Sequence, residues 1–160
     1  MIIKLTFPLL VASLFVGCAS VPKADQQLSQ SVKELTAPQE GKAGLYVYRS
    51  NNIVGSALKK DIWVDGECLG ETARGIFFYK EVEGNKNHTV STESEFSPNH
   101  LKVETQSGKN YFIQQYIKPG IFVGGAALKL VDDIQGKKAV GEYNLATIGK
   151  CSKPTIQITD

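Results

Sequence analysis

From Gly44 onward, short runs of apolar and β-branched residues are separated by clusters of Gly, Asn, Asp, Ser and Pro. That rhythm predicts strands joined by turns. Leu45-Tyr46-Val47-Tyr48-Arg49 is the first run, rich in the types that suit a pleated surface. Asp61-Ile62-Trp63-Val64, then Asp65-Gly66, then Glu67-Cys68-Leu69-Gly70 predicts a hairpin. Asp-Gly accepts the positive φ angles that a tight two-residue turn requires. Counting outward from that turn sets Val64 opposite Glu67, Trp63 opposite Cys68 and Ile62 opposite Leu69. Ile62, Val64 and Leu69 then share an inward face, with Trp63 and Cys68 on the other. Further strands are expected at residues 77–82, 88–93, 100–105, 110–118 and 121–131. Glu83-Gly84-Asn85, Ser97-Pro98-Asn99 and Ser107-Gly108-Lys109 supply turns between them. A short helix is expected within residues 133–145, weakened by Gly136 and Gly141. The fold class that follows is all-β: a β-sandwich of about 7–8 short, mostly antiparallel strands with a short C-terminal helix. A parallel sheet would need helices between its strands.

Ahead of this pattern, residues 19–40 are poor in aromatics and carry Ser, Gln, Lys and Pro. They read as a flexible tether, with an end-to-end distance of about 25 Å for a chain of that length. Leu28, Val32 and Leu35 stand at helical spacing after Asp25, a capping type, so either a short helix or disorder is expected there. At the start of the chain, Lys4 precedes an apolar run from Leu5 to Val16. A spanning helix needs roughly 20 such residues. This shorter run has the length of a secretory signal.

The run closes in Leu14-Phe15-Val16-Gly17-Cys18. A small residue directly before a cysteine in that setting resembles the bacterial lipobox, with Phe15 where Leu is usual. The resemblance implies cleavage before Cys18, lipid on its thiol and acylation of the new amino terminus. Ala19, rather than Asp, follows the cysteine. By similarity to the sorting rule of Gram-negative lipoproteins, that implies the outer membrane, facing the periplasm. The expected organisation is a signal peptide at residues 1–17, a lipidated tether at 18–40, a β-sandwich at 41–148 and a tail at 149–160.

A net charge of +2 without blocks of like charge argues against a nucleic-acid binder held by phosphate contacts. The two histidines, His88 and His100, fall on separate strands without a zinc-type motif and are expected on strand surfaces. Asp132-Asp133 reads as a helix cap rather than a cation site. Gly120-Ile121-Phe122-Val123-Gly124-Gly125-Ala126-Ala127 lacks the Lys-Ser or Lys-Thr of a phosphate loop, and is too short to span a membrane. It reads as a strand whose glycines permit a bulge. Phe77, Phe78 and Tyr79 are consecutive, so at least one must leave the main core, under a loop or at a contact surface. No catalytic constellation is expected, and no metal or organic cofactor.

Gly41-Lys42-Ala43-Gly44-Leu45-Tyr46-Val47-Tyr48-Arg49 resembles the opening of a bacterial lipoprotein family known as domain of unknown function 2846. Val64-Asp65-Gly66, the Gly108-Lys109-Asn110-Tyr111 segment and the stretch through Leu130 fit the same pattern, over roughly residues 41–145. The hairpin with Gly70 and Thr72 is more distantly similar to PEGA-type β-sandwich domains. Neither likeness implies a catalytic residue. With Cys18 committed to lipid, Cys68 and Cys151 remain, in an oxidising compartment where thiols pair. A Cys68–Cys151 disulfide pinning the tail across the outside of the hairpin is expected; the alternative is two unpaired thiols. The expected function is a non-catalytic envelope lipoprotein, held to the membrane by its N-terminal lipid and meeting an envelope protein or cell-wall partner. The alternative is a small-ligand or lipid binder with a pocket between the sheets, lined by Tyr46, Tyr48, Phe77 and Phe122.

Overall fold

The computed structural model describes residues 19–158, so the leader and Cys18 lie outside the described residues. The elements run α1 (Gln26–Lys33), β1 (Lys42–Arg49), β2 (Lys60–Val64), β3 (Glu67–Thr72), β4 (Ile76–Glu83), β5 (Asn87–Thr92), β6 (Asn99–Glu104), β7 (Asn110–Lys118), β8 (Gly125–Val131), α2 (Asp133–Glu142) and β9 (Asn144–Leu145). One sheet has the order β8-β7-β1-β4-β9 and the other β3-β2-β5-β6. They pack as a β-sandwich, and the expected all-β class stands. Most pairings are antiparallel, but β1 runs parallel to β7 and β4 parallel to β9.

β1 is central in its sheet and buried on both faces. Ala43, Leu45 and Val47 face the second sheet and, with Phe78 and Ile113 of their own sheet, pack against its Ile62, Val64, Leu69 and Val90. Tyr46 and Tyr48 face the other way, into a second apolar layer with Phe77, Phe112 and the α2 residues Ala139 and Val140. The expected conflict among Phe77, Phe78 and Tyr79 is thereby resolved. Phe78 fills the inter-sheet core, while Phe77 and Tyr79 pack beneath the helices. The Tyr46 ring lies 4.6 Å from that of Tyr79 and 5.2 Å from that of Phe112.

Asp65 and Gly66 take the positive φ angles, 53° and 82°, that the hairpin demands. Trp63 pairs with Cys68 and Val64 with Glu67, as expected. Ile62, however, pairs with Gly70, because a bulge between Ile62 and Trp63 leaves Leu69 without a direct opposite. Leu69 is still fully buried. The last long strand is also shorter than expected: it begins at Gly125 rather than residue 121. The backbone of residues 121–123 is bonded elsewhere, as described below.

The segment expected as a tether is docked instead. Asp25 caps α1, accepting from the Gln27 and Leu28 amides. Val32 and Leu35 pack against the layer around Tyr46. Upstream, Ala24 donates to the Leu145 carbonyl at 2.8 Å and Thr147 to the Pro22 carbonyl at 3.1 Å. Apolar positions too few to form a core alone suffice to cover an existing apolar face.

α2 lies within the expected range, ends at Glu142, and is followed by β9. Asp132 caps it, accepting from the Gln135 amide at 2.8 Å. Gly136 is what lets α2 approach the sheet: a Cβ there would stand 2.1 Å from Cγ of Phe112. Phe112 is buried, so a shift of its ring must displace its core neighbours. Gly136→Ala should gain up to about 1 kcal/mol from helix propensity. It should lose more from overpacking, for a net destabilisation of about 1–3 kcal/mol. Urea unfolding checks the sign; a stabilised variant would show that the helix is free to shift.

Candidate functional site

The candidate site is one end of the sandwich, where β1, β5 and β7 finish and β2, β6 and β8 start. The loops spanning residues 50–59, 93–98 and 119–124 meet there. A buried polar layer closes the core beneath them: Gln115 donates to Thr92 at 2.7 Å, and Thr92 donates to the Asp61 carbonyl at 3.0 Å. Arg49 lies in the same layer and is buried. Its guanidinium donates to the carbonyls of Leu58 at 2.6 Å, Thr72 at 3.4 Å and Gly55. Burial away from water pulls its pKa down to about 10. Arg49 thus holds the 50–59 loop through backbone oxygens.

Glu95 plays the matching part for the 119–124 loop. Its carboxylate accepts the backbone N–H groups of Ile121 at 2.7 Å, Val123 at 3.1 Å and Phe122. Partial burial favours the neutral acid, but these three bonds outweigh it and hold the carboxyl below its ordinary range. The same capture removes residues 121–123 from the strand ladder. Gly124 approaches Leu58 and Ile117, and Gly55 also lies against Ile117, so the two loops touch.

The outward side of this rim is apolar. Ile53 is 78% exposed, Phe96 75%, Ile121 77% and Phe122 84%, with Val54 and Val123 exposed beside them. The Ala19 amide donates to the Ser56 carbonyl at 3.3 Å, which puts the first described residue on the same rim. Next to it, Val21, Pro22, Thr147, Ile148, Lys59 and Glu71 line a groove of about 480 Å³.

Residues 39–126 match the family described as protein of unknown function (DUF2846). The chain belongs to the DUF2846 family. It is also similar to an uncharacterized protein of Haemophilus influenzae, with 48% identity over 136 residues, covering 85% of this chain and 80% of that protein. The DUF2846 match begins just before β1 and ends in β8, so it takes in the four-stranded sheet, β1, β4 and β7 of the other sheet, and all three rim loops.

In this DUF2846 chain, Cys68 and Cys151 form a disulfide, with Cα atoms 5.8 Å apart. The tail crosses the outer face of the hairpin, as expected. Trp63 Nε1 donates to the Lys153 carbonyl at 2.8 Å, Cys68 N to that of Pro154 at 2.9 Å, and Ile156 N to that of Gly66 at 2.9 Å. Asp61 was not singled out by sequence, yet its buried carboxylate accepts both the amide and the hydroxyl of Ser152, at 2.7 and 2.5 Å. Desolvation raises its pKa and the Ser152 bonds oppose that rise. No local motif announces such a partner 91 residues away.

The histidines divide. His88, expected on the surface, is buried; its ring nitrogens meet Asp65 Oδ2 at 2.6 Å and the Glu83 carbonyl at 2.8 Å, bracing the turn end of the hairpin. His100 is exposed, with Nδ1 2.7 Å from Ser91 Oγ. Among the described residues no group of three His, Cys, Asp or Glu side chains is placed to hold a metal ion. The proposed inter-sheet pocket has no such lining: Tyr46, Tyr48 and Phe77 face the helices, and Phe122 stands on the rim. Strand alternation puts Tyr46, Tyr48 and Phe77 on the outer face, away from the second sheet.

Proposed function

We propose that this chain is an outer-membrane-anchored periplasmic lipoprotein, a non-catalytic binding or structural module of the cell envelope. The observation that carries the reading is the allocation of the three cysteines. Two are joined in a disulfide, a bond that persists in oxidising compartments. The third, Cys18, closes an apolar leader of secretory length and is followed by Ala19.

Cys18→Ala tests the anchor. Cells making the wild-type chain and given labelled palmitate should yield a labelled product in the outer-membrane fraction. The variant should carry no label and be uncleaved or soluble. Label retained by the variant would sink the lipobox reading. Crosslinking in living cells, followed by identification of what is captured, tests for an envelope-protein or cell-wall partner. The second reading, a small-ligand binder, is favoured by the groove beside Val21 and Ile148, whose volume lies in the range of ligand sites.

A further inference from the structure

We propose that the apolar rim is a bilayer-docking face: Ile53, Val54, Phe96, Ile121, Phe122 and Val123 enter the headgroup and acyl boundary while the lipid on Cys18 holds the domain down. The inference rests on the anchor proposed above. Its first support is position. Ala19 is bonded to Ser56, three residues from Ile53, and Cys18 is one peptide bond from Ala19. Consecutive Cα atoms lie about 3.8 Å apart, so the docked chain leaves no tether between acyl groups and rim. A membrane holding those groups meets this end of the sandwich.

The second support is chemistry. Inserted backbone must satisfy its own polar groups, because the acyl region offers no water. Glu95 takes the N–H groups of Ile121, Phe122 and Val123, and Arg49 takes the carbonyls of Gly55 and Leu58. In residues 50–59 and 119–124 the single charged side chain is Lys59, the last residue of its loop, and it is paired with Glu71 at 3.4 Å. The two carboxylates of the third loop are engaged: Glu95 as above, and Glu93 with Lys60 at 3.4 Å. An interface for a charged protein partner would present such groups outward. Here large apolar side chains point out from three loops, the arrangement that interfacial insertion uses.

The full-length acylated chain, reconstituted in phosphatidylethanolamine–phosphatidylglycerol vesicles, tests this. Cys68 and Cys151 are paired and Cys18 is acylated, so Phe122→Cys adds one reactive thiol for an environment-sensitive fluorophore. Lys109→Cys, exposed near the start of β7 at the opposite end, is the control. The probe at 122 should emit to the blue of the probe at 109, and lipids spin-labelled at shallow acyl positions should quench it several-fold more. A vesicle-bound chain whose probe at 122 stays water-like and unquenched overturns the docking face and leaves the anchor standing. A blue shift seen in whole envelopes but absent from protein-free vesicles also overturns it, assigning the rim to a protein partner. A chain with no acyl group overturns the anchor and the docking face together.

Discussion

Phe78→Ala is expected to lower the unfolding free energy by about 3–5 kcal/mol, the range for deleting a buried aromatic ring. Phe78 is fully enclosed between the sheets, and its ring packs so closely on Gly70 that a Cβ there would be 2.7 Å from Cζ. Gly70, at φ 148°, is in turn constrained by its backbone. Neither side has slack to collapse into the space that alanine would leave. Phe122→Ala removes the same atoms from an exposed site and should change stability by less than about 0.5 kcal/mol. Urea unfolding followed by the fluorescence of Trp63, the single tryptophan, reads both variants. Similar midpoints for the two would contradict the division between core and rim.

Removing the disulfide should have the next largest effect. Cys151→Ser opens a crosslink between residues 83 apart in sequence. The chain-entropy account allows up to about 4.5 kcal/mol for such a loop, and about 2–4 kcal/mol is usual. The tail keeps its bonds from Trp63 to Lys153 and from Ile156 to Gly66, so the folded state should survive with the tail in place. Most of the loss should then arise in the unfolded chain. Wild type with a reductant should unfold at the same urea concentration as the variant without one. A shift below about 0.5 kcal/mol, or a reduced wild type as stable as the oxidised one, would contradict this account.

The hairpin shows how far local reading reaches. Near the Asp65-Gly66 turn the pairing follows from counting, so Cys68 opposite Trp63 on the outer face is legible; the disulfide was expected from the two cysteines left once Cys18 is assigned to lipid. Two residues further out the count fails, because a bulge carries no reliable mark in sequence. The start of β8 was misplaced for a different reason. Ile121, Phe122 and Val123 have strand character, but a carboxylate 26–28 residues earlier takes their amides. α1 was legible from its cap and spacing, but its docking was not, since the apolar face that receives it is assembled from β1, β4 and β7. The parallel pairing of β1 with β7 and the short β9 were missed for the same reason. The rim is the least legible part, because its three loops are adjacent only in the folded chain.

Arg49 and Glu95 each restrain a rim loop from behind. Ordering a loop and its side chains during association costs free energy, about 0.5–1.5 kcal/mol for each rotamer-rich side chain immobilised. Here the backbone share of that ordering is complete once the chain has folded, so whatever settles on Ile121 and Phe122 meets a shape already set. Exchanging either charged residue for a shorter one would keep every outward side chain in the sequence and still weaken contact, because the loop behind it would have to be ordered, and its freed backbone groups satisfied, at the moment of contact.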